Sequence, residues 1–167
     1  MDPQARQQFI ESWGVMGVAW GINRSMARIH ALLMLSHEPT SLDDIARTLE
    51  ISRGNASMSL QKLRDWGVVQ RVAVAADRRD FYITEPDVWA MFFAIARERK
   101  RREFDPAVST VRDAIDGLGE DTPPEVRQRL AQMASLMGTG EQVLERFLTN
   151  PTASRALLAF LAAGPKP

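Results

Sequence analysis

Residues 41–84 constrain the fold most, because two short helix patterns follow each other closely and lead directly into strand patterns. Ser41 and Ser52 each precede an apolar helical period, where a serine hydroxyl can accept a hydrogen bond from a free backbone N–H group. Gly67 follows the second period and is typical of a helix end. The spacing predicts two short helices joined by a tight turn.

Two strand patterns come directly after Gly67. Residues 68–72 are rich in valine, and residues 81–84 include Phe81 and Tyr82, which favour extended backbone. They predict a two-stranded hairpin whose connection carries the charged residues 77–80. Helix, turn, helix and hairpin in this order are typical of a winged helix-turn-helix.

Helical patterns fill the rest of the chain. Phe9, Trp13, Met16 and Trp20 recur at steps of four, three and four residues, and no strand pattern appears after Pro86. We expect a mainly α fold with a small β-hairpin wing, a winged helix-turn-helix flanked by N- and C-terminal dimerisation helices. Separate helices are expected after Pro124, between residues 141 and 148, and between residues 152 and 163. The expected domains are N-terminal helices for core and dimerisation (1–36), a DNA-binding winged helix-turn-helix (37–86) and a C-terminal helical region for dimerisation and effector binding (87–167).

Composition and motifs exclude several classes of function. The chain has no cysteine, so it can form neither a disulfide nor a thiolate metal site. It has only two histidines, and they are not spaced as a helical metal-binding pair. No nucleophile elbow, phosphate-binding glycine loop or dinucleotide fingerprint occurs. No basic and apolar leader is present, and no stretch reaches the roughly 20 apolar residues of a membrane span. We expect a cytoplasmic protein that is not an enzyme and uses no metal, cofactor or membrane.

The second short helix has a polar outer face. Placing Ala56, Leu60 and Leu63 inward leaves mostly hydrogen-bonding side chains outward. Arginine, asparagine, glutamine and serine on such a face can bind base edges in the major groove of double-stranded DNA. The overall net charge is zero, but the segment between residues 52 and 81 contains six basic and three acidic residues and is locally positive. This helix is the candidate recognition helix.

The charged hairpin places Arg78 and Arg79 where a wing meets the minor groove, whose negative potential attracts arginine. The flanking Asp77 and Asp80 either hold these arginines in place or neutralise them. The candidate DNA-contacting residues of the whole segment are Ser41, Ser52, Arg53, Gly54, Asn55, Ser57, Gln61, Lys62, Arg71, Arg78 and Arg79.

Three blocks, residues 52–60, 63–69 and 78–82, carry a family resemblance, most specifically in a Gly-Asn-x-Ser block and a Trp-Gly pair. They resemble the GbsR-type branch of the MarR-like winged-helix regulators. The resemblance covers roughly the first two-thirds of the chain, to Asp87 and Trp89. It implies a homodimer that binds a palindromic operator and usually represses transcription, in some members of genes for choline or glycine-betaine uptake and synthesis. Many relatives carry a glycine at the wing tip, where this chain has residues 74–77 without glycine.

Two questions stay open at this stage. An aromatic cage of tryptophans could bind a quaternary ammonium effector such as choline, although helical aromatic stripes more often form core. The candidate ligand-binding residues are Trp13, Trp20, Trp66 and Trp89. The alternative function is a helical adaptor that uses its winged helix to bind another regulator instead of DNA.

Overall fold

The structure is mainly helical with one small antiparallel sheet, which confirms the expected fold class. This computed structural model describes residues 1–163. Its elements in chain order are α1 (Pro3–Ala19), α2 (Arg24–Met34), β1 (Thr40–Ser41), α3 (Leu42–Thr48), α4 (Arg53–Asp65), β2 (Val69–Val74), β3 (Asp77–Thr84), α5 (Val88–Arg99), a π-helical turn (Lys100–Phe104), α6 (Asp105–Asp116), α7 (Pro124–Thr149) and α8 (Pro151–Ala163).

The chain divides into two compact units, Met1–Met91 and a second that begins at Phe92. The first unit contains the sheet, whose strands lie in the order β1-β3-β2. Ser41 of β1 lies opposite Phe81 of β3, and Arg71 of β2 lies opposite Tyr82 on the other side. The two-residue strand β1 is too short to give a sequence pattern, and the expectations for the sheet did not include it.

The core of the first unit lies between α2, α3 and α4. Ala56, Leu60 and Leu63 of α4 are all buried, which confirms the inner face expected for this helix. The largest side chains buried with them on α2 and α3 are Ile29, Leu32, Leu33 and Ile45. Burial of these branched and aliphatic side chains supplies the main driving force that holds α4 in place.

Helix α1 packs on α2 through glycines. Ile10, Gly14 and Gly17 are its buried residues. A Cβ atom added at Gly17 would lie only 2.5 Å from the Cβ of Ala27, so the two backbones approach too closely for any side chain there. The most deeply buried face of α1 therefore carries Ile10 and the two glycines, and the apolar stripe of the sequence is less buried: Phe9, Trp13 and Met16 are half-buried and Trp20 is exposed.

Helices α3 and α4 end in the same way, with one residue in the left-handed conformation. Gly67 takes this role after α4 (φ 75°), and Glu50 takes it after α3 (φ 54°). The next amides then bond back across five residues, from Ile51 to Ala46 and from Val68 to Leu63. This arrangement satisfies carbonyls that a helix end leaves free, and it produces the tight turn between α3 and α4.

In the second unit, α6 packs against α7 with Val108, Val111 and Leu148 buried. The sequence predicts separate helices on either side of residue 140, and this is wrong, because α7 runs from Pro124 to Thr149 without a break. Glycine lowers helix propensity by only about 1 kcal/mol, so Gly138 and Gly140 do not end a helix that tertiary contacts support.

His30 of α2 is buried with only 4% of its surface exposed, and its Nε2 atom has no hydrogen-bond partner among residues 1–163. Its ring centre lies 6.3 Å from that of Trp13. Burial removes water from the imidazolium and lowers the pKa of His30 from 6.5 to about 4. The folded protein therefore holds a neutral histidine at this position.

We expect the free energy of unfolding to fall as the pH drops from 8 to 5. Between pH 6.5 and 4 the unfolded chain binds a proton at His30 that the folded chain does not bind, so stability decreases with falling pH there. The loss at pH 5 is about 2 kcal/mol, measured by urea unfolding. His30→Leu should remove most of this dependence, and His37→Ala, at an exposed histidine, should retain it. Equal pH dependence in the wild type and His30→Leu would contradict the assignment.

Candidate nucleic-acid interface

Helix α4 begins with a side-chain cap. The Ser52 hydroxyl accepts a hydrogen bond from the Asn55 amide at 3.2 Å. The cap fixes the first turn of α4, in which Arg53 and Gly54 are exposed. A Cβ atom added at Gly54 would meet nothing within 4 Å, so this turn borders open space.

The exposed residues of α4 lie on one continuous face. Gly54, Met58 and Gln61 follow each other at helical spacing, with Ser57 and Lys62 beside them, and all five are exposed. The Gln61 amide donates to Asp65 at 2.8 Å, while Arg53 makes an ion pair with Asp43 of α3 at 3.3 Å. The Lys62 side chain makes no hydrogen bond or ion pair within residues 1–163. The face offers polar groups and the charge of Lys62 to a partner.

Asn55 does not stand on this face. Its side-chain nitrogen donates to the Ser25 hydroxyl of α2 at 3.0 Å, and its oxygen accepts from Ser59 at 3.2 Å. The side chain thus joins α4 to α2, and the sequence did not indicate this because Ser25 lies in a different helix. Asn55 is expected from the sequence among the DNA-contacting residues, but its side chain bonds α2 instead.

Ser41 is not on the surface either. Only 1% of its surface is exposed, and its hydroxyl accepts from the Asp44 amide at 3.1 Å while also bonding the Asp44 carboxylate. A side chain that is this deeply buried and already bonded has no group left for a phosphate or a base. Ser41 therefore caps α3, and its side chain is not available to DNA.

The hairpin turns through Ala75 and Ala76, not through the charged residues. Val74 pairs with Asp77, and Ala76 takes the left-handed φ of 63° that the missing glycine would otherwise occupy. The expectation that residues 77–80 form the tip is wrong. They begin β3 instead, and this strand departs from regular pairing between Asp77 and Phe81.

Arg79 is held by carboxylates. It bonds Asp77 at 2.6 Å, lies 3.7 Å from Asp44 of α3 and covers the ring of Phe81 with its guanidinium 5.1 Å from the ring centre. The side-chain bond from Arg79 lowers the pKa of Asp77, and the same bond raises the pKa of Arg79. The hydrogen bond from Ser41 and the charges of Arg47 and Arg79 lower the pKa of Asp44. Arg79 thus ties the hairpin to α3.

Arg78 differs from its neighbours. Arg71 makes an ion pair with Asp80 across the hairpin, and Arg79 pairs with Asp77. Arg78 is exposed and makes no hydrogen bond or ion pair within the described part of the chain. Of the two arginines for which the sequence left the role of the aspartates open, Arg79 is both held and neutralised by Asp77, while the charge of Arg78 stays available to a partner.

The four tryptophans lie in or at the ends of three helices, α1, α4 and α5. Trp13 of α1 stacks on Phe9 with ring centres 5.4 Å apart, and Trp20 caps the end of α1. Trp66 caps the end of α4, and Trp89 lies in the first turn of α5. A cavity of about 550 Å³ in the first unit is lined by residues that include Leu33, Glu38, Glu85 and Met91, and none of the tryptophans lines it.

Two further features bear on the class of protein. Within residues 1–163, no group of three or more histidine, aspartate or glutamate side chains is placed to hold a metal ion. None of the helices in the described part of the chain combines the length and apolar character that crossing a membrane requires.

Comparison with known proteins gives one consistent result. The profile of the MarR family matches residues 20–80. The chain is 31% identical over 142 residues to the HTH-type transcriptional regulator MmpR5 of Mycobacterium tuberculosis, covering 82% of this chain and 81% of that protein. It is 26% identical over 141 residues to the HTH-type transcriptional repressor GbsR of Bacillus subtilis, covering 79% and 78%. The crystal structure of a transcriptional regulator superposes with a TM-score of 0.68 at 28% identity, covering 87% of this chain and 96% of that one.

Proposed function

The chain belongs to the MarR family of winged helix-turn-helix transcriptional regulators, and we propose that it represses transcription as a homodimer bound to a palindromic operator. Residues 37–86 bind the DNA, and residues 1–36 and 87–167 form the dimer. The observation that carries the proposal is the exposed polar face of α4 together with Arg78, a cation without an acidic partner in the described structure. The two relatives are from bacteria, whose DNA lies in the cytoplasm, and we propose the same location for this protein.

The homodimer is supported by apolar side chains that the single chain leaves exposed. On α8 these are Leu157, Phe160 and Leu161, spaced three and four residues apart so that they share one face. Further exposed apolar residues are Leu136 and Val143 on α7 and Val15, Val18 and Trp20 on α1. Such surface on a soluble domain is typical of an interface, and a second copy supplies a self-complementary one.

The DNA-binding role assigns different tasks to α4 and the wing. Arg53, Ser57, Gln61 and Lys62 face the major groove, where Gln61 exchanges its bond with Asp65 for one to an adenine. Gly54 lets the backbone approach the DNA, and Ser52 supports the first turn. Arg78 enters the minor groove, while Arg71 and Arg79 hold the hairpin in shape.

The test is selection of a preferred duplex from a randomised library, followed by footprinting. We expect two symmetric half-sites about 34–36 Å apart, or one helical turn, protected by a dimer. Protection of one unrepeated half-site by a monomer would contradict the palindromic mode. Absence of any binding at low salt, together with a stable protein partner in pull-downs, would favour the adaptor. A reporter gene behind the selected duplex tests repression, since its expression should rise when the protein is removed.

Arg78→Ala should weaken binding to the selected duplex and to a scrambled one alike, because a minor-groove or phosphate contact carries little sequence information. We expect a several-fold loss at low salt and a salt slope shallower by about one unit. Arg79→Ala is the matched control: its charge is already paired with Asp77, so the salt slope should change less. Affinity across a salt series measures both. An unchanged slope in Arg78→Ala would show that the wing does not touch the backbone.

We propose choline or a similar quaternary ammonium compound as the effector. Aromatic rings attract such cations, and the half-buried Trp13 already stacks on Phe9. Titration with choline should change the tryptophan fluorescence of the wild type and weaken its binding to the selected duplex. A titration that changes neither signal would remove choline from the proposal and leave the DNA-binding role intact.

A further inference from the structure

Met58 is the one large apolar side chain on the outer face of α4 within the described structure. It is 65% exposed, whereas the other apolar residues of this helix, Ala56, Leu60 and Leu63, are buried. Its neighbours on the face are Ser57, Gln61 and Lys62, which are all polar. Met58 therefore contributes nothing to the core of the chain, and its flexible apolar side chain is available to a partner.

The residue one turn before Met58 is Gly54. Helical side chains lean toward the N-terminus, so the side chain of Met58 is directed toward the turn that contains Gly54. Open space surrounds that position, since nothing lies within 4 Å of an added Cβ. Together, the exposed Met58 and the bare backbone at Gly54 make a small apolar patch on an otherwise polar face.

The charge of α4 favours DNA as the partner of this patch. Arg53, Lys62 and Arg64 of this helix are basic and exposed, and Asp65 is its one acidic residue. In the major groove the only apolar feature of a base edge is the C5-methyl group of thymine. Resting on the proposed function, we infer that Met58 reads a thymine in each half-site by contact with this methyl group.

The test removes the methyl group from the DNA and the apolar side chain from the protein separately. The probe is the duplex that the wild-type protein selects, with each thymine replaced in turn by deoxyuridine. At one thymine of each half-site, this replacement should weaken wild-type binding about fourfold, the effect of leaving one methyl group unburied. The variant Met58→Gln, similar in length but polar, should bind the thymine and deoxyuridine duplexes equally. Met58→Leu should keep the preference for thymine.

Ser57→Ala is the matched control on the same face: its overall affinity falls if Ser57 contacts DNA, but its ratio of thymine to deoxyuridine affinity should stay that of the wild type. Because Met58 is exposed, all these variants should melt at the wild-type temperature, which circular dichroism verifies. Equal wild-type affinity for every thymine and deoxyuridine duplex would overturn the inference, and so would an undiminished preference in Met58→Gln. Neither result would affect the proposed function, which fails only if the wild type selects no duplex.

Discussion

Replacing Phe160 by glutamate is expected to dissociate the proposed dimer and to abolish tight operator binding. Phe160 is 76% exposed in the single chain, so the change costs the monomer little. In a dimer interface, an unpaired carboxylate is left without water, at a cost of about 3–5 kcal/mol. The dimer dissociation constant should rise at least about 100-fold. Sedimentation equilibrium measures this change, and duplex affinity should fall with it because a monomer carries a single α4.

The matched control for this experiment is Ala159→Glu. Ala159 is also exposed on α8 but lies on the opposite side of the helix from Leu157 and Leu161. The same charge one residue away should leave the dimer intact. The proposal of an α8 interface is wrong if Phe160→Glu sediments as a dimer at the concentrations at which the wild type does. A monomeric wild type would remove the dimer altogether.

Gly17→Ala is expected to lower the free energy of unfolding by about 3 kcal/mol, although alanine is the better helix former. The new Cβ would lie 2.5 Å from the Cβ of Ala27, against roughly 3.5–4.0 Å for carbon atoms in contact. Ala27 is itself a short side chain on α2 and cannot move aside, so α1 and α2 must separate. Urea unfolding monitored by circular dichroism gives the change.

Gly138→Ala supplies the opposite control. Gly138 lies in the middle of α7, and an added Cβ there would meet nothing within 4 Å. This variant should be more stable by about 1 kcal/mol through helix propensity alone. If both variants were stabilised equally, the close approach of α1 and α2 at Gly17 would not exist in solution.

Local signals predicted the winged helix-turn-helix from the sequence. Ser52 caps α4 and Gly67 ends its helical run, and the inner face of Ala56, Leu60 and Leu63 is buried as expected. Each of these features depends on residues close together in the chain, where capping and periodicity operate. The helix order and the wing therefore followed from sequence alone.

Contacts between residues that are distant in the chain could not be predicted from the sequence. Asparagine is a residue type that can bind bases, but the Asn55 side chain donates a hydrogen bond to Ser25, thirty positions earlier in the chain. The arginines of the hairpin were indistinguishable by type, and only the positions of Asp77, Asp80 and Asp44 separate Arg78 from the other two. The apolar stripe of α1 was read from its large side chains, while the packed face depends on glycines, which carry no hydrophobic signal.

A single substitution in the turn between α3 and α4 is expected to raise the thermal stability of the protein. Glu50 holds a left-handed conformation that costs a residue with a Cβ about 1–2 kcal/mol and glycine almost nothing. Glutamate and glycine codons differ by a single base, so one point mutation reaches the relaxed turn. Glu50 is exposed and lies outside α4. Laboratory evolution under thermal selection can therefore be expected to recover Glu50→Gly early, with the DNA-facing surface unchanged.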